Sequence, residues 1–207
     1  MKTNQSNTKR RIIESAISLF YEKGYEHVTI REIAKAVGIR GSSIYNHFNS
    51  KENILEEILN SHKQRLAATY NNEKIKTRVN QLLKGRDLNV ILTELLKIAL
   101  LGLQDPLLLK VLKILSVEQL KINMVREYFY NYYLLKARAV FKEIFDIMLN
   151  NNVITYTDTE FLAHEFHSFI IYKFYEHYML LQNYSINNTA ITTNFKKHIS
   201  FFVNSIT

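Results

Sequence analysis

Between Val28 and Phe48 the chain reads VTIREIAKAVGIRGSSIYNHF, two short helical patterns separated by a glycine. Thr29 can cap the first, with Glu32 three residues on to complete a capping box. Ile30, Ile33, Ala34 and Val37 then fall on one helical stripe. Gly38 follows where a helix ends and a left-handed residue costs least. The second helix starts at Gly41 or Ser42, and Ile44 and Phe48, four apart, share its inner face. Its outward positions are Ser42, Ser43, Tyr45, Asn46 and His47. These short or planar hydrogen-bonding groups differ from the Lys/Glu mixture of an ordinary solvated face. Two helices so joined form a helix-turn-helix, which lays such a face in the major groove of DNA.

The run Gly38-Ile39, then Ser43-Ile44-Tyr45-Asn46-His47-Phe48, then Ser50-Lys51-Glu52, resembles the recognition-helix signature of the tetracycline-repressor (TetR) family of bacterial transcription regulators. The likeness extends upstream to Ile12-Ile13-Glu14-Ser15-Ala16 and Gly24-Tyr25, and covers roughly the first third of the chain. A bare helix-turn-helix pattern is common by chance, whereas the Tyr-x-His-Phe-x-Ser-Lys-Glu ending is far more specific. The resemblance implies that Ser43, Asn46, Arg40 and Ser42 read base edges. It implies that Thr29, Tyr45, His47 and Lys51 hold phosphates. Arg40 and Gly41 stand where family members often carry Ser and Lys, which moves a basic residue to the edge of the reading face.

The chain holds only five glycines and one proline in 207 residues, far below ordinary usage. So few breakers leave little material for hairpins and predict an all-α protein. The formal charge of +8 favours a polyanionic partner. Residues 1–65 carry eleven Lys/Arg against seven Asp/Glu, so half of that excess sits in under a third of the length. The absence of cysteine excludes disulfides, zinc-thiolate sites and thiol catalysis. No signal-peptide core and no apolar run of about 18 residues occurs. A cytoplasmic, nucleoid-associated protein is expected.

Residues 1–8 are polar, and a helix is expected from Thr8 to Lys23, buried through Ile12, Ile13, Ala16, Ile17 and Phe20. Lys9, Arg10 and Arg11 in its first turn oppose the helix dipole; facing DNA phosphates would offset that. Ser50 caps a fourth helix to about Tyr70, buried through Ile54, Leu55, Ile58, Leu59 and Leu66. This divides the chain into a DNA-binding head (1–50, helix-turn-helix 29–48), a shared connecting helix (50–70) and a ligand-binding and dimerisation body (71–207). Within the body, 71–89 is polar and mixed, with a loop at Lys84–Asp87. Helices are expected over 89–103, from Leu107 to Leu115 behind an Asp105-Pro106 cap, and from Ser116 to Asn150 with a break near Asn123. Two more follow, from the Thr157/Asp158 cap to Gln182 and from Asn188 to Ser205. This pair is apolar on nearly every side, through Phe161, Leu162, Phe166, Phe169, Tyr172, Phe174 and Tyr178, and then Ile199, Phe201, Phe202 and Val203. A helix apolar all round must be buried all round, and a two-fold four-helix interface achieves that. The family resemblance implies a homodimer there, which also supplies two recognition helices one DNA turn apart.

Glu160, His164 and His167 share one helical face, the minimum for a three-ligand metal site, although packing in a buried helix pair explains the histidines better. No metal and no cofactor is expected. Tyr128, Tyr132, Phe166, His167 and Ile170 are candidates for lining the small-molecule cavity that the resemblance implies, fit for an apolar or aromatic effector. No phosphate loop, nucleophile elbow or cysteine is present, so no enzyme is expected. The expectation is a ligand-responsive regulator, a repressor, that binds a pseudo-palindromic operator in double-stranded DNA. A DNA-organising protein of the same fold without an effector is the alternative.

Overall fold

The computed structural model describes residues 2–85, 87–180 and 189–207, with side chains described from residue 7 and, at the end, from 193. Among the described residues eleven α-helices follow in order: α1 (Lys2–Lys23), α2 (Ile30–Val37), α3 (Gly41–Ile44), α4 (Lys51–Thr69), α5 (Asn72–Leu83), α6 (Leu88–Gln104), α7 (Pro106–Glu118), α8 (Asn123–Phe129), α9 (Lys136–Asn150), α10 (Thr159–Phe174) and α11 (Thr189–Ile206). Two π-helical turns, Tyr130–Leu135 and Tyr175–Leu180, directly precede α9 and directly follow α10. No strand occurs among the described residues, so the fold is all-α as the scarcity of breakers predicted.

The chain divides into two compact units, Met1–Ala67 with Asp105–Phe129, and Ala68–Gln104 with Tyr130–Thr207. Asp105–Phe129 therefore packs with the N-terminal helices rather than with the rest of the segment beyond residue 71. In the first unit Ile12, Ala16, Phe20, Ile33, Ile44, Ile54 and Leu55 are sealed from solvent. Helix α7 joins them behind its N-cap Asp105, whose carboxylate accepts from Leu107 N (2.9 Å) and Leu108 N (3.3 Å) and pairs with Arg65.

The second unit is built on a core of Ile91, Leu92, Phe145, Met148, Phe166 and Phe202. Phe166 meets Phe141 and Phe202 edge-on at 5.3 and 5.4 Å, the geometry aromatic quadrupoles prefer. Tyr70 reaches into α6, where its hydroxyl donates to Ala99 O (3.0 Å) and accepts from Gly102 N (2.9 Å). Only glycine fits there, because a Cβ on Gly102 would stand 2.5 Å from that hydroxyl.

Several boundaries differ from expectation. Helix α1 starts at Lys2, six residues before Thr8, because nothing between them is Gly or Pro and the turn simply continues. Residues 72–83 form α5 although they look polar and mixed. Ile75, Val79 and Leu83, each four apart, are its buried residues, and Asn71 caps it by accepting from Lys74 N at 3.0 Å. The break expected near Asn123 is present, with α7 ending at Glu118 and α8 starting at Asn123. The expected ends near Gln182 and Asn188, and Arg86 of the loop, lie outside the described residues.

Candidate DNA-binding surface

Thr29 has extended backbone (φ −103°, ψ 156°), and its hydroxyl accepts from Glu32 N at 3.2 Å while Glu32 Oε2 accepts from Thr29 N at 2.9 Å. Lys23 Nζ closes the box at 2.7 Å from Glu32 Oε1. The Lys23 ammonium, with the Thr29 amide and hydroxyl, holds the Glu32 carboxyl down to about 2. At the far end of α2, Gly38 takes φ +77°. Its N–H donates to Lys35 O (3.1 Å) and that of Ile39 to Ala34 O (3.0 Å), the paired bonds of a Schellman motif. Arg11 from α1 donates to the Val37 carbonyl, satisfying another helix-end acceptor.

The turn then delivers α3, which is shorter than expected. Its α-helical part ends at Ile44, and Asn46 N and His47 N bond back three residues to Ser43 O and Ile44 O. Ile44 and Phe48 are 0% and 2% exposed and fix the orientation of the segment. Arg40, Ser42, Tyr45 and Asn46 are exposed, while Gly41, Ser43 and His47 are half-buried. Among the described residues, the side chains of Arg40, Ser42 and Asn46 make no hydrogen bond or ion pair within the chain. These groups are solvated and available. A Cβ at Gly41 would meet only Arg31 Cγ at 4.0 Å, so neither space nor backbone demands glycine there. Arg31, exposed on α2, is a cation beside this face that the sequence reading passed over.

Of the residues expected to hold phosphates, Thr29 and Lys51 are engaged within the chain, while Tyr45 is 58% exposed. Thr29 is exposed but committed to its capping box. Lys51, half-buried at the start of α4, donates from Nζ to Tyr25 O at 2.9 Å and lies 4.2 Å from the centroid of the Tyr25 ring. Lys9 pairs with Glu57 at 2.9 Å and Arg10 with Glu14 at 3.5 Å. Tyr25 is held from the other side as well: its N–H donates to Glu118 Oε1 of α7 at 2.9 Å, and Glu118 is 5% exposed. No sequence signal marks that buried carboxylate, which lies 93 residues from its partner.

The five expected cavity residues divide between the two units. Tyr128 belongs to the first unit, where its hydroxyl lies 3.0 Å from His62 Nδ1. Phe166, His167 and Ile170 are buried in the second unit, and Tyr132 lies in its π-helical turn. His167 is 4% exposed beside Phe141 (5.7 Å between rings), and burial, aided by the nearby Arg138, pushes its imidazole down to about 4. Glu160 and His164 are exposed. No cluster of three metal-ligating side chains occurs among the described residues.

Residues 12–58 match the family described as bacterial regulatory proteins, tetR family. Over 49 residues the chain is 51% identical to IcaR of Staphylococcus aureus (strain Newman), the biofilm operon icaADBC HTH-type negative transcriptional regulator, covering 24% of this chain and 26% of IcaR. Over 57 residues it is 40% identical to the HTH-type transcriptional repressor KstR2 of Rhodococcus jostii (strain RHA1), covering 28% of each. The chain thus spans about a quarter of the length of the curated relatives it matches. Along its length it shares its fold with the flavonoid-responsive regulator FrrA, with a TM-score of 0.68, 17% identity and 97% of each chain covered. Signature and capped helix pair agree: over residues 12–58 the chain is similar to the TetR family of bacterial regulatory proteins.

Proposed function

We propose that the protein is a transcriptional repressor that binds a pseudo-palindromic operator as a homodimer and is released by a small, mostly apolar or aromatic effector. The observation carrying this reading is the row of solvated, internally uncommitted groups on and around α3, backed by buried Ile44 and Phe48. Ser43, Asn46, Arg40 and Ser42 read bases; Thr29, Tyr45, His47 and Lys51 fix the register on phosphates. Lys51 has three donors, so a phosphate contact is compatible with its bond to Tyr25. Residues 1–50 constitute the reading head, the helix over 50–70 the connection, and 71–207 the effector and dimerisation part. The repressor relatives and the flavonoid-responsive neighbour support the reading.

Dimerisation through α10 and α11 is supported by large apolar side chains left outside: Phe161 is 48%, Tyr172 57% and Phe201 71% exposed. Leu180, in the π-helical turn after α10, is 77% exposed. No described helix is long and apolar enough to cross a membrane, which suits a protein working on the nucleoid.

The test is a binding titration on a selected operator at several salt concentrations. A dimer neutralising about 6–10 phosphates loses roughly 10³–10⁵ in affinity between 50 and 200 mM salt. Asn46→Ala changes the preferred sequence, whereas Lys51→Ala weakens all sequences and lowers the salt slope by about one per contact. A flat salt response, or a monomer both free and on DNA, refutes the proposal.

A further inference from the structure

A cavity of about 320 Å³ opens in the first unit between α1, α4 and α7. None of the five residues expected to line an effector site borders it. Its floor is apolar and sealed: Ile17, Ile58, Leu108 and Val111 are 2–3% exposed. His62 completes the floor, and burial pushes its imidazole down to about 4, so it is neutral at pH 7. The mouth is cationic. Lys9, Arg10 and Arg65 line it with side chains 42%, 73% and 51% exposed. Each has an acidic partner, but Glu57 of Lys9 and Asp105 of Arg65 stand outside the lining, leaving Glu14 as the acid that borders the space. An entering group therefore meets three cations and one carboxylate. The Arg10–Glu14 pair is long at 3.5 Å and exposed on both sides, the kind of ion pair that contributes little and gives way readily to a second carboxylate.

We propose that this cleft binds an amphipathic monoanion, a medium-chain aliphatic carboxylate, with the chain on the apolar floor and the carboxylate among Arg10, Arg65 and Lys9. The volume equals that of roughly ten waters, which suits about ten non-hydrogen atoms, and it lies within the range of small-molecule sites. A guanidinium offers five N–H donors in a planar fork, so Arg65 can serve Asp105 and a ligand together. The site is walled by the helices that frame the proposed reading head, and its cations include two from α1. Resting on the operator-binding reading above, occupancy adds one negative charge beside Lys9 and Arg10 and weakens DNA binding.

The experiment uses the full-length protein and sodium octanoate, with 1-octanol and octylammonium as controls, followed by calorimetry without DNA. One octanoate per subunit is expected, with octanol about tenfold weaker for want of the charge-assisted bonds and no octylammonium binding. Val111→Trp, which fills the floor, abolishes binding, and Arg10→Gln weakens it roughly tenfold. Octanoate that fails to bind, binding equal to that of octylammonium, or an unaltered Val111→Trp overturns the proposal. Should Val111→Trp not fold, Arg10→Gln decides, since its change is on the surface, and unchanged affinity there overturns the proposal. A protein that binds operator but no octanoate refutes the cleft alone. One that binds octanoate but no DNA refutes the repressor reading and leaves the cleft standing.

Discussion

A methyl group added to α6 tests how Tyr70 is built into that helix. An alanine Cβ at position 102 would lie 2.5 Å from the Tyr70 hydroxyl oxygen but 3.4 and 3.5 Å from Cζ and Cε2. The oxygen alone therefore makes the clash. In the native protein Gly102→Ala gains about 1 kcal/mol of helix propensity but costs about 1–3 kcal/mol in overpacking. It also drives the hydroxyl off Ala99 O and Gly102 N, whose bonds are worth about 1 kcal/mol each. The net is a loss of about 2–4 kcal/mol. Tyr70→Phe alone costs about 1–2 kcal/mol, chiefly by orphaning a part-buried N–H. With the oxygen gone, Gly102→Ala becomes neutral or stabilising, so the double-mutant cycle returns a coupling of about 3 kcal/mol. Urea unfolding followed by circular dichroism at fixed protein concentration reads all four corners. Equal cost of Gly102→Ala in both backgrounds refutes the reasoning.

Gly38→Ala meets no atom within 4 Å, so its cost is the φ +77° backbone alone, about 1 kcal/mol and a few degrees in melting temperature. A loss above about 3 kcal/mol would point to a contact that the geometry lacks. Burial lowers the imidazoles of His62 and His167 from 6.5 to about 4. The unfolded chain therefore binds protons that the folded one refuses. Their stabilising contribution is complete above pH 6.5, falls as the pH drops toward 4, and levels off below that. The slope is at most about 1.4 kcal/mol per pH unit for each. His62→Gln should flatten thermal melts compared at pH 7.5 and 5; a slope identical to that of the parent contradicts the assignment.

Local chemistry was readable where one segment carried its own instructions. The Thr29/Glu32 box, the Gly38 stop, the Ser50 cap and the Asp105-Pro106 start are all written within four residues, and the structure has each. The inward pair Ile44/Phe48 likewise marked which side of α3 faces out. Helix α5 was harder, because three apolar residues at four-residue spacing are diluted by lysines, asparagines and glutamate that a solvated face tolerates. Tertiary partners were not readable. Nothing near Tyr25 announces Glu118, and His62 finds Tyr128 66 residues away. The cleft over Ile58 and Val111 is a gap between three helices, and a gap has no residue pattern of its own.

The backbone of Tyr25 is claimed twice, its amide by the last turn of α7 and its carbonyl by the first turn of α4. A slide of either helix drags on the loop that launches α2, and the other helix resists through the same residue. One residue thereby ties two helices to the entrance of the helix-turn-helix. Whatever loosens Glu118 or Lys51 removes one of these two ties without any change to the exposed side chains of α3.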